Sequence, residues 1–262
     1  MKIRNLFIAP SGKTFISMDL SQAETWIVAF TAREESMKDA LLNGDIHRRT
    51  ASAIFEKSEE SISKEERYIG KRLNHALSYR MSAEQLFKVF NKDAQGTGVI
   101  LSLAQAKIYR DKWHNFYKIK SWWSELELQL SKNRTLTTVY GRRRIFYGRW
   151  GDALFKEATA FIPQSTVADH AYGAIQEGVN GEGGIIRIHL DCKKETNFRL
   201  VHSAHDSIML EVPLGSERVA YDILLRNFKR PLNINGETFT IPVECDVGPI
   251  WGEMKVYTPE KE

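Results

Sequence analysis

Cysteine is scarce in this sequence: Cys192 and Cys245 are the only two, with no metal-type spacing between them. That argues against a disulfide framework and a zinc site, and it fits a reducing compartment. No apolar run approaches the ~20 residues that a membrane span needs. The opening residues, MKIRNLFIAPSGK, lack the apolar centre of a signal peptide. The expectation is a cytoplasmic protein with no membrane partner. A Walker-type glycine loop is missing, so this is not a P-loop enzyme. Repeats and low-complexity linkers are missing as well, which predicts interleaved subdomains rather than beads on a string.

In bulk the chain is ordinary. Its 262 residues allow one large domain or two intimate ones, and a 42% hydrophobic fraction supports a real core. The net charge of +4 is mild and merely permits nucleic-acid binding, so local clusters carry more information.

The most informative stretch is Glu65 to Phe87, EERYIGKRLNHALSYRMSAEQLF, which reads as one helix-like run. Arg67, Lys71, His75 and Tyr79 recur every fourth residue, which puts them on nearly one helical face. Two permanent cations, an imidazole and a phenol suit a nucleoside triphosphate: anionic at one end, flat at the other. An ordinary solvated basic face is the alternative. Two carboxylates matter next. Asp19 follows the apolar β-type stretch LFIAPSGKTFISM and precedes a helical pattern with Ala23, Trp26, Ile27 and Phe30 on one side. It sits at a strand-to-helix junction, as a cleft carboxylate or as a helix cap. Asp206 interrupts a second β-type stretch, FRLVHSAHDSIMLEV, where a hairpin would turn. If the two strands are neighbours, the pair can share divalent cations; magnesium, a hard ion that also binds phosphates, fits such oxygen ligands.

Other expectations are local. Asp45 caps a helix carrying His47, Arg48 and Arg49. Residues 91–98 form a break, and 102–132 make one long helical region whose aromatics are mostly core. TLTTVYGRRRIFY at 135–147 predicts a hairpin turning near Gly141, with Arg142, Arg143 and Arg144 as an exposed basic knot suited to phosphate. A solubilising turn is the alternative there. Lys156 to Ile175 reads as a helix interrupted by Pro163, with a polar edge at Gln164, Ser165, Thr166 and Asp169. Residues 178–184 read as a flexible loop, Ile185 to Leu190 as a short strand or helix end, and Thr238 to Val247 as a β-like run.

Taken in order, these residues resemble the polymerase region of family A DNA polymerases, the group of bacterial DNA polymerase I and many phage replicative enzymes. Asp19-Leu20-Ser21-Gln22-Ala23-Glu24 resembles the first palm motif. Arg67, Lys71, His75 and Tyr79 fall on the fingers-helix motif, RxxxKxxx(aromatic)xxxY. His205-Asp206-Ser207 resembles the last palm motif, usually His-Asp-Glu. KIRNLFIAP at 2–10, DIHRRTA at 45–51, GRRR at 141–144, QSTVAD at 164–169 and the phage-type ending VGPIWGEM at 247–254 also match. The resemblance covers almost the whole chain. It departs at His75 (usually Phe or Tyr), at Ala76 and Arg80 (often Gly), at Ser207 (usually Glu), and at Lys156 and Ala160 (usually Arg and Asn).

The resemblance implies an α+β fold: a palm with an antiparallel sheet plus helices, and inserted α-helical fingers. The expected spans are palm at 1–30, fingers at 31–132 and palm again at 133–262. It further implies template-directed transfer of a nucleotide from dNTPs to a primer 3′-hydroxyl. Asp19, Leu20 and Asp206 would bind two Mg2+ ions, with Mn2+ as a substitute. Asp19, Asp206 and Lys71 would be catalytic. Gln22, Glu24, His47, Arg67, Lys71, His75 and Tyr79 would hold the dNTP, Glu24 and Tyr79 blocking a ribose 2′-hydroxyl. Arg142, Arg143, Arg144, Gln164 and His205 would hold primer-template DNA. The chain begins just before the first palm motif, so thumb and exonuclease domains are expected to be absent, with a thumb-bearing partner chain or a missing N-terminal region supplying the first. The rival readings are a thumbless, catalytically weak nucleotide- or DNA-binding remnant, and a two-metal nuclease. The nuclease leaves the fourth-residue pattern unexplained.

Overall fold

Burial alternates along Lys13–Leu20, and the rest of its sheet is arranged around that strand. The computed structural model describes residues 3–92, 94–176, 182–194 and 197–259. In chain order the elements are β1 (Lys13–Leu20), α1 (Ala23–Thr31), α2 (Glu35–Asn43), α3 (Ile46–Phe55), α4 (Lys64–Ser78), α5 (Ala83–Lys92) and the short α6 (Ala94–Thr97). Next come α7 (Leu103–Phe116), α8 (Lys120–Asn133), β2 (Thr135–Thr137), β3 (Arg143–Ile145) and α9 (Asp152–Tyr172). The last part holds α10 (Gly184–Cys192), β4 (Arg199–Ala204), β5 (Ser207–Pro213), α11 (Glu217–Phe228), β6 (Pro231–Ile234), β7 (Glu237–Thr240), β8 (Val243–Gly248) and β9 (Lys255–Val256). Two compact units result. One comprises residues 1–23, 138–142 and 164–262; the other comprises 24–137 and 143–163.

In the first unit, β1 is the centre of a five-stranded antiparallel sheet of order β4-β5-β1-β8-β9. Helix α11 packs on β1, β5 and β8, burying Ala220, Ile223, Leu224 and Phe228. The alternate β1 residues Ile16, Met18 and Leu20 are at most 1% exposed, and burying each such side chain is worth about 1.5–3 kcal/mol. Side chains alternate between faces, so Phe15, Ser17 and Asp19 stand on the other side. There Phe15 packs with Ala9, Met209, Trp251 and Met254, while the Asp19 end stays open. A buried polar group lies elsewhere in this unit: the Tyr140 hydroxyl and His170 Nδ1 are 2.6 Å apart, and Arg142 is paired with Asp169.

The second unit is helical apart from the β2–β3 hairpin. Its polar centre is Asn74. Trp113 Nε1 donates to Asn74 Oδ1 at 2.8 Å, Thr50 Oγ1 donates to the same oxygen at 2.9 Å, and the Thr50 and Tyr117 hydroxyls are 2.9 Å apart. These bonds tie together α3, α4 and the end of α7. Gly70 lets α3 and α4 approach so closely that a Cβ there would lie 2.2 Å from the His47 carbonyl oxygen. Serine capping boxes start α4 (Ser63, Glu66) and α7 (Ser102, Gln105), each satisfying two backbone donors.

Several expectations change. The run from Glu65 to Phe87 is two helices: α4 stops at Ser78, and α5 begins after Ser82, which accepts from the Gln85 amide while Gln85 Oε1 accepts from the Ser82 amide. The Arg80 amide donates to the Leu77 carbonyl and the Met81 amide to that of Ala76. Those two bonds form a Schellman end, with Arg80 at the left-handed position. The expected long helix at 102–132 also divides, at Tyr117–Ile119. Tyr117 and Ile119 are both fully buried, and an α-helix cannot turn residues two apart to one side. Pro163 does not interrupt α9, whose buried neighbours Phe161, Ile162 and Val167 supply packing across the lost hydrogen bond. The polar edge is partly inside, since Thr166 and Asp169 are buried. Helix α10 occupies the Ile185 region, most of the expected break at 91–98 is helical, and Ile241-Pro242 splits the last β-run. Residues 178–181 of the expected loop lie outside the described residues.

The Asn74 centre predicts that Asn74→Ala, which strands the buried Trp113 indole N–H and leaves Thr50 its bonds to the Ile46 carbonyl and Tyr117, lowers urea-unfolding stability by about 1–3 kcal/mol. A pH effect follows from the buried histidines. Burial, reinforced by neighbouring cations, pushes His47 and His114 down to about 4 and His170 to about 3. For His47, the charge of Asp45 opposes this. Unfolded imidazoles take up protons near pH ~6.5, so the unfolded state binds more protons below that pH. Stability is expected to fall as pH drops from about 6.5 toward 4. His170→Asn should make the slope of the urea midpoint against pH shallower.

Candidate active site

In the first unit, the register decides which side chains meet. Asp19 pairs with Ser207 on β5 and with Glu244 on β8, while Ser17 pairs with Asp246. Paired residues project to the same face, so Asp19, Glu244 and Asp246 share the open side of the sheet. β4 and β5 are joined by a two-residue loop, His205-Asp206. His205 takes a left-handed φ of 51°, a conformation that short polar side chains and His tolerate better than most. The Leu20 amide donates to the Asp206 carbonyl at 2.9 Å, which clamps the loop onto the end of β1. The Asp19 and Asp206 carboxyls are then close enough that Asp206 bears directly on the charge of Asp19. Solvent reaches Asp19, yet the protein packed around its carboxyl desolvates it. That desolvation, then the charges of Asp206, Glu244 and Asp246, push it up to about 7.

Among the described residues, the charges that bear on Asp19 are like charges, and such a pair suits a hard cation. Among the described residues, no group of three or more His, Cys, Asp or Glu side chains is gathered to hold a metal alone. Magnesium is commonly bound in another way, by one or two carboxylates with phosphate oxygens and water completing the shell. The Asp19–Asp206 pair fits that mode. Leu20 turns its side chain into the core, leaving only its backbone to contribute.

In the second unit, α4 carries the cationic face. Arg67 is already partnered: its Nε donates to Asp45 Oδ2 at 2.6 Å. Burial raises the pKa of Asp45, but the Arg67 hydrogen bond, the Arg48 amide and the Arg67 charge together outweigh it and hold that carboxyl below its ordinary range. Asp45 also caps α3, accepting from the His47 and Arg48 amides, as its position predicts. His47 is buried against Asn74 and neutral at pH 7. Lys71 is exposed and has no partner among the described residues. It is the charge left over. The His75 and Tyr79 rings meet edge to face, centroids 5.7 Å apart. Tyr79 is the last residue of α4's cap, and its hydroxyl donates to Glu24 on α1. Burial, then the Glu24 charge, pushes the phenol far up, so it stays a donor.

The basic hairpin is more engaged than a free knot. Arg142 is bidentate to Asp169, and Arg144 is bonded to Glu157 and lies 4.9 Å over the Phe146 ring. Arg143 alone is exposed and unpartnered among the described residues. Gln22, Gln164 and His205 are exposed, and Gln22 has a left-handed φ of 57°.

Sequence reasoning missed Glu244, Asp246, and the roles of Asp45 and Asp169 as partners of arginines. Glu244-Cys245-Asp246 did carry a signal. Two carboxylates two apart in a β-run share a face, whichever face that is.

Comparison with known proteins gives this geometry a context. DNA polymerase I of Aquifex aeolicus is 30% identical over 253 residues, covering 95% of this chain and 41% of that relative. DNA polymerase I of Pseudomonas aeruginosa is 28% identical over 266 residues, covering 96% of the chain and 26% of the relative. The chain therefore spans less than half the length of these relatives. Among solved structures, the POL domain of Pol1 from M. smegmatis, in complex with DNA primer-template and dNTP, shares the fold. Its TM-score is 0.75, at 22% identity, over 95% of this chain and 42% of that one. The α+β arrangement of antiparallel sheet and helices is that of a family A POL domain. No helix among the described residues is long and apolar enough to cross a membrane. Residues 1–253 match the description "DNA polymerase family A", and with the carboxylate hairpin and the α4 pattern inside that span, the chain belongs to DNA polymerase family A.

Proposed function

We propose that this chain is the part of a DNA-directed DNA polymerase that performs nucleotidyl transfer from dNTPs to a primer 3′-hydroxyl. The observation that carries the reading is the Asp19–Asp206 pair, two carboxylate residues remote in sequence that the β1–β5 pairing and the Leu20–Asp206 backbone bond bring together. We take the sheet-bearing unit as the palm and the helical unit as the fingers.

Asp19 and Asp206, with the Leu20 backbone, would hold two Mg2+ ions. Those ions lower the pKa of the attacking hydroxyl and neutralise charge growing on the phosphates. Lys71 is the residue to meet the triphosphate, because it brings a cation with no partner among the described residues. Arg67 brings one already oriented by Asp45, and His47, kept neutral, can donate or accept without adding charge. His75 and Tyr79 offer a ring surface to base and sugar. Glu24, holding the Tyr79 hydroxyl, stands as the steric and electrostatic barrier to a ribose 2′-hydroxyl. Gln22 completes the nucleotide site.

Gln164, Arg143 and His205 present exposed polar groups to primer-template DNA. Arg142 and Arg144 contribute there by exchanging carboxylate partners for phosphate. We assign firm hold of the duplex to a thumb-bearing segment or chain, since the relatives are much longer than this one. A nuclease would use the carboxylates but gives α4 no task.

Primer extension with four deoxynucleotides and magnesium tests the reading. Asp206→Ala should slow extension by about 10³-fold or more, and Lys71→Ala by about 10²-fold. Undiminished extension by Asp206→Ala would remove the assignment. Chelation should stop extension, and added magnesium or manganese should restore it. A second expectation separates chemistry from folding. Asp19→Asn removes a like charge, so it should abolish extension and yet raise the metal-free melting temperature at pH 8. Each kcal/mol relieved is worth about 2–4 °C. A lowered melting temperature would show that the pair is not strained by like charge.

A further inference from the structure

We infer that Arg80 is a positioning residue that locks the elbow between α4 and α5 and thereby keeps the Tyr79 hydroxyl on Glu24. Arg80 has a φ of 60°, in the left-handed region. It occupies the position after the helix cap where glycine is most at ease. An arginine there takes on backbone strain that glycine would not, and its side chain shows what the strain accompanies. The guanidinium is only 11% exposed and donates to Glu127 on α8 at 2.5 Å. It lies 4.8 Å from the Trp123 ring centroid and 5.5 Å from that of Phe155. A flat cation held between two rings and bonded to a carboxylate has few alternative rotamers.

The neighbouring residue is Tyr79. Two consecutive side chains at the end of α4 are therefore anchored in different directions, Tyr79 to α1 and Arg80 to α8 and α9. Ser82 starts the next helix two residues on. The elbow is held by one side chain from within and by a helix start on its far side. A loose elbow would let the Tyr79 ring swing and part from Glu24. The function assigned to Arg80 rests on the proposed role of the Tyr79–Glu24 pair in sugar selection, whereas the elbow's rigidity does not depend on it.

The test uses the full chain with Arg80→Gly, Arg80→Ala and Arg80→Lys. Gly removes the side chain and relieves the backbone, so folding is protected; Ala removes the side chain and keeps the strain. Hydrogen exchange of the peptide spanning 76–86 is read in the free protein, and kcat and KM for deoxy- and ribonucleotides in primer extension. Gly and Ala should both speed exchange at the elbow about tenfold or more. Both should lower the preference for deoxynucleotides about 3–10-fold, mainly through KM. Lys keeps the charge but not the flat face and should fall between. Unchanged exchange in Arg80→Gly overturns the proposal, and so does faster exchange with unchanged sugar preference. Faster exchange in variants of a wild type that extends no primer would support the lock and defeat the polymerase reading instead.

Discussion

The pairing register of β1 is the constraint that the carboxylate site depends on. Side chains alternate strictly along a strand, so a slip of one residue would put Asp19 under α11 and Leu20 in water. Several terms resist that slip together. Ile16, Met18 and Leu20 are buried on one face, Phe15 packs with Met209 and Trp251 on the other, and the Leu20 amide holds the Asp206 carbonyl. Apolar burial on one face of the sheet thus holds like charges together on the other. The raised pKa of Asp19 reflects first the desolvation of its carboxyl and then the like charges gathered beside it.

The helical unit solves the opposite problem, presenting positive charge without scattering it. Asn74 ties α4 to its neighbours on the buried side, which orients the face carrying Arg67, Lys71 and His75. Asp45 then caps α3 and pairs Arg67, and burial keeps His47 uncharged. What is left over is Lys71, an ammonium with no carboxylate partner among the described residues. Selective neutralisation, rather than a large net charge, sets the charge pattern of this face.

Much of this was legible from residue order. The β-type stretches before Asp19 and around Asp206, the Asp45 cap and the hairpin at Gly141 all follow from local rules, and the structure contains them. What sequence could not supply was termination. The α4–α5 break hides behind Arg80, because a charged side chain masks a backbone site that glycine would have announced; the Ser82–Gln85 box was the remaining clue. The α7–α8 break hides because only tertiary packing requires Tyr117 and Ile119 on one side. Pro163 misled in the other direction, since packing compensated for a missing hydrogen bond. Pairings such as Arg142 with Asp169 depend on distances that a string of letters does not hold.

Gly70 carries a consequence for how this architecture can change. Where α3 and α4 touch, main chain meets main chain at the His47 carbonyl. Cores usually absorb substitution by repacking side chains, and at this contact there are none to repack. The spacing between His47 and the row of Arg67 and Lys71 is therefore a main-chain ruler. Change along this face has to come from the reach of side-chain tips, because the two helices have no closer seat to move to.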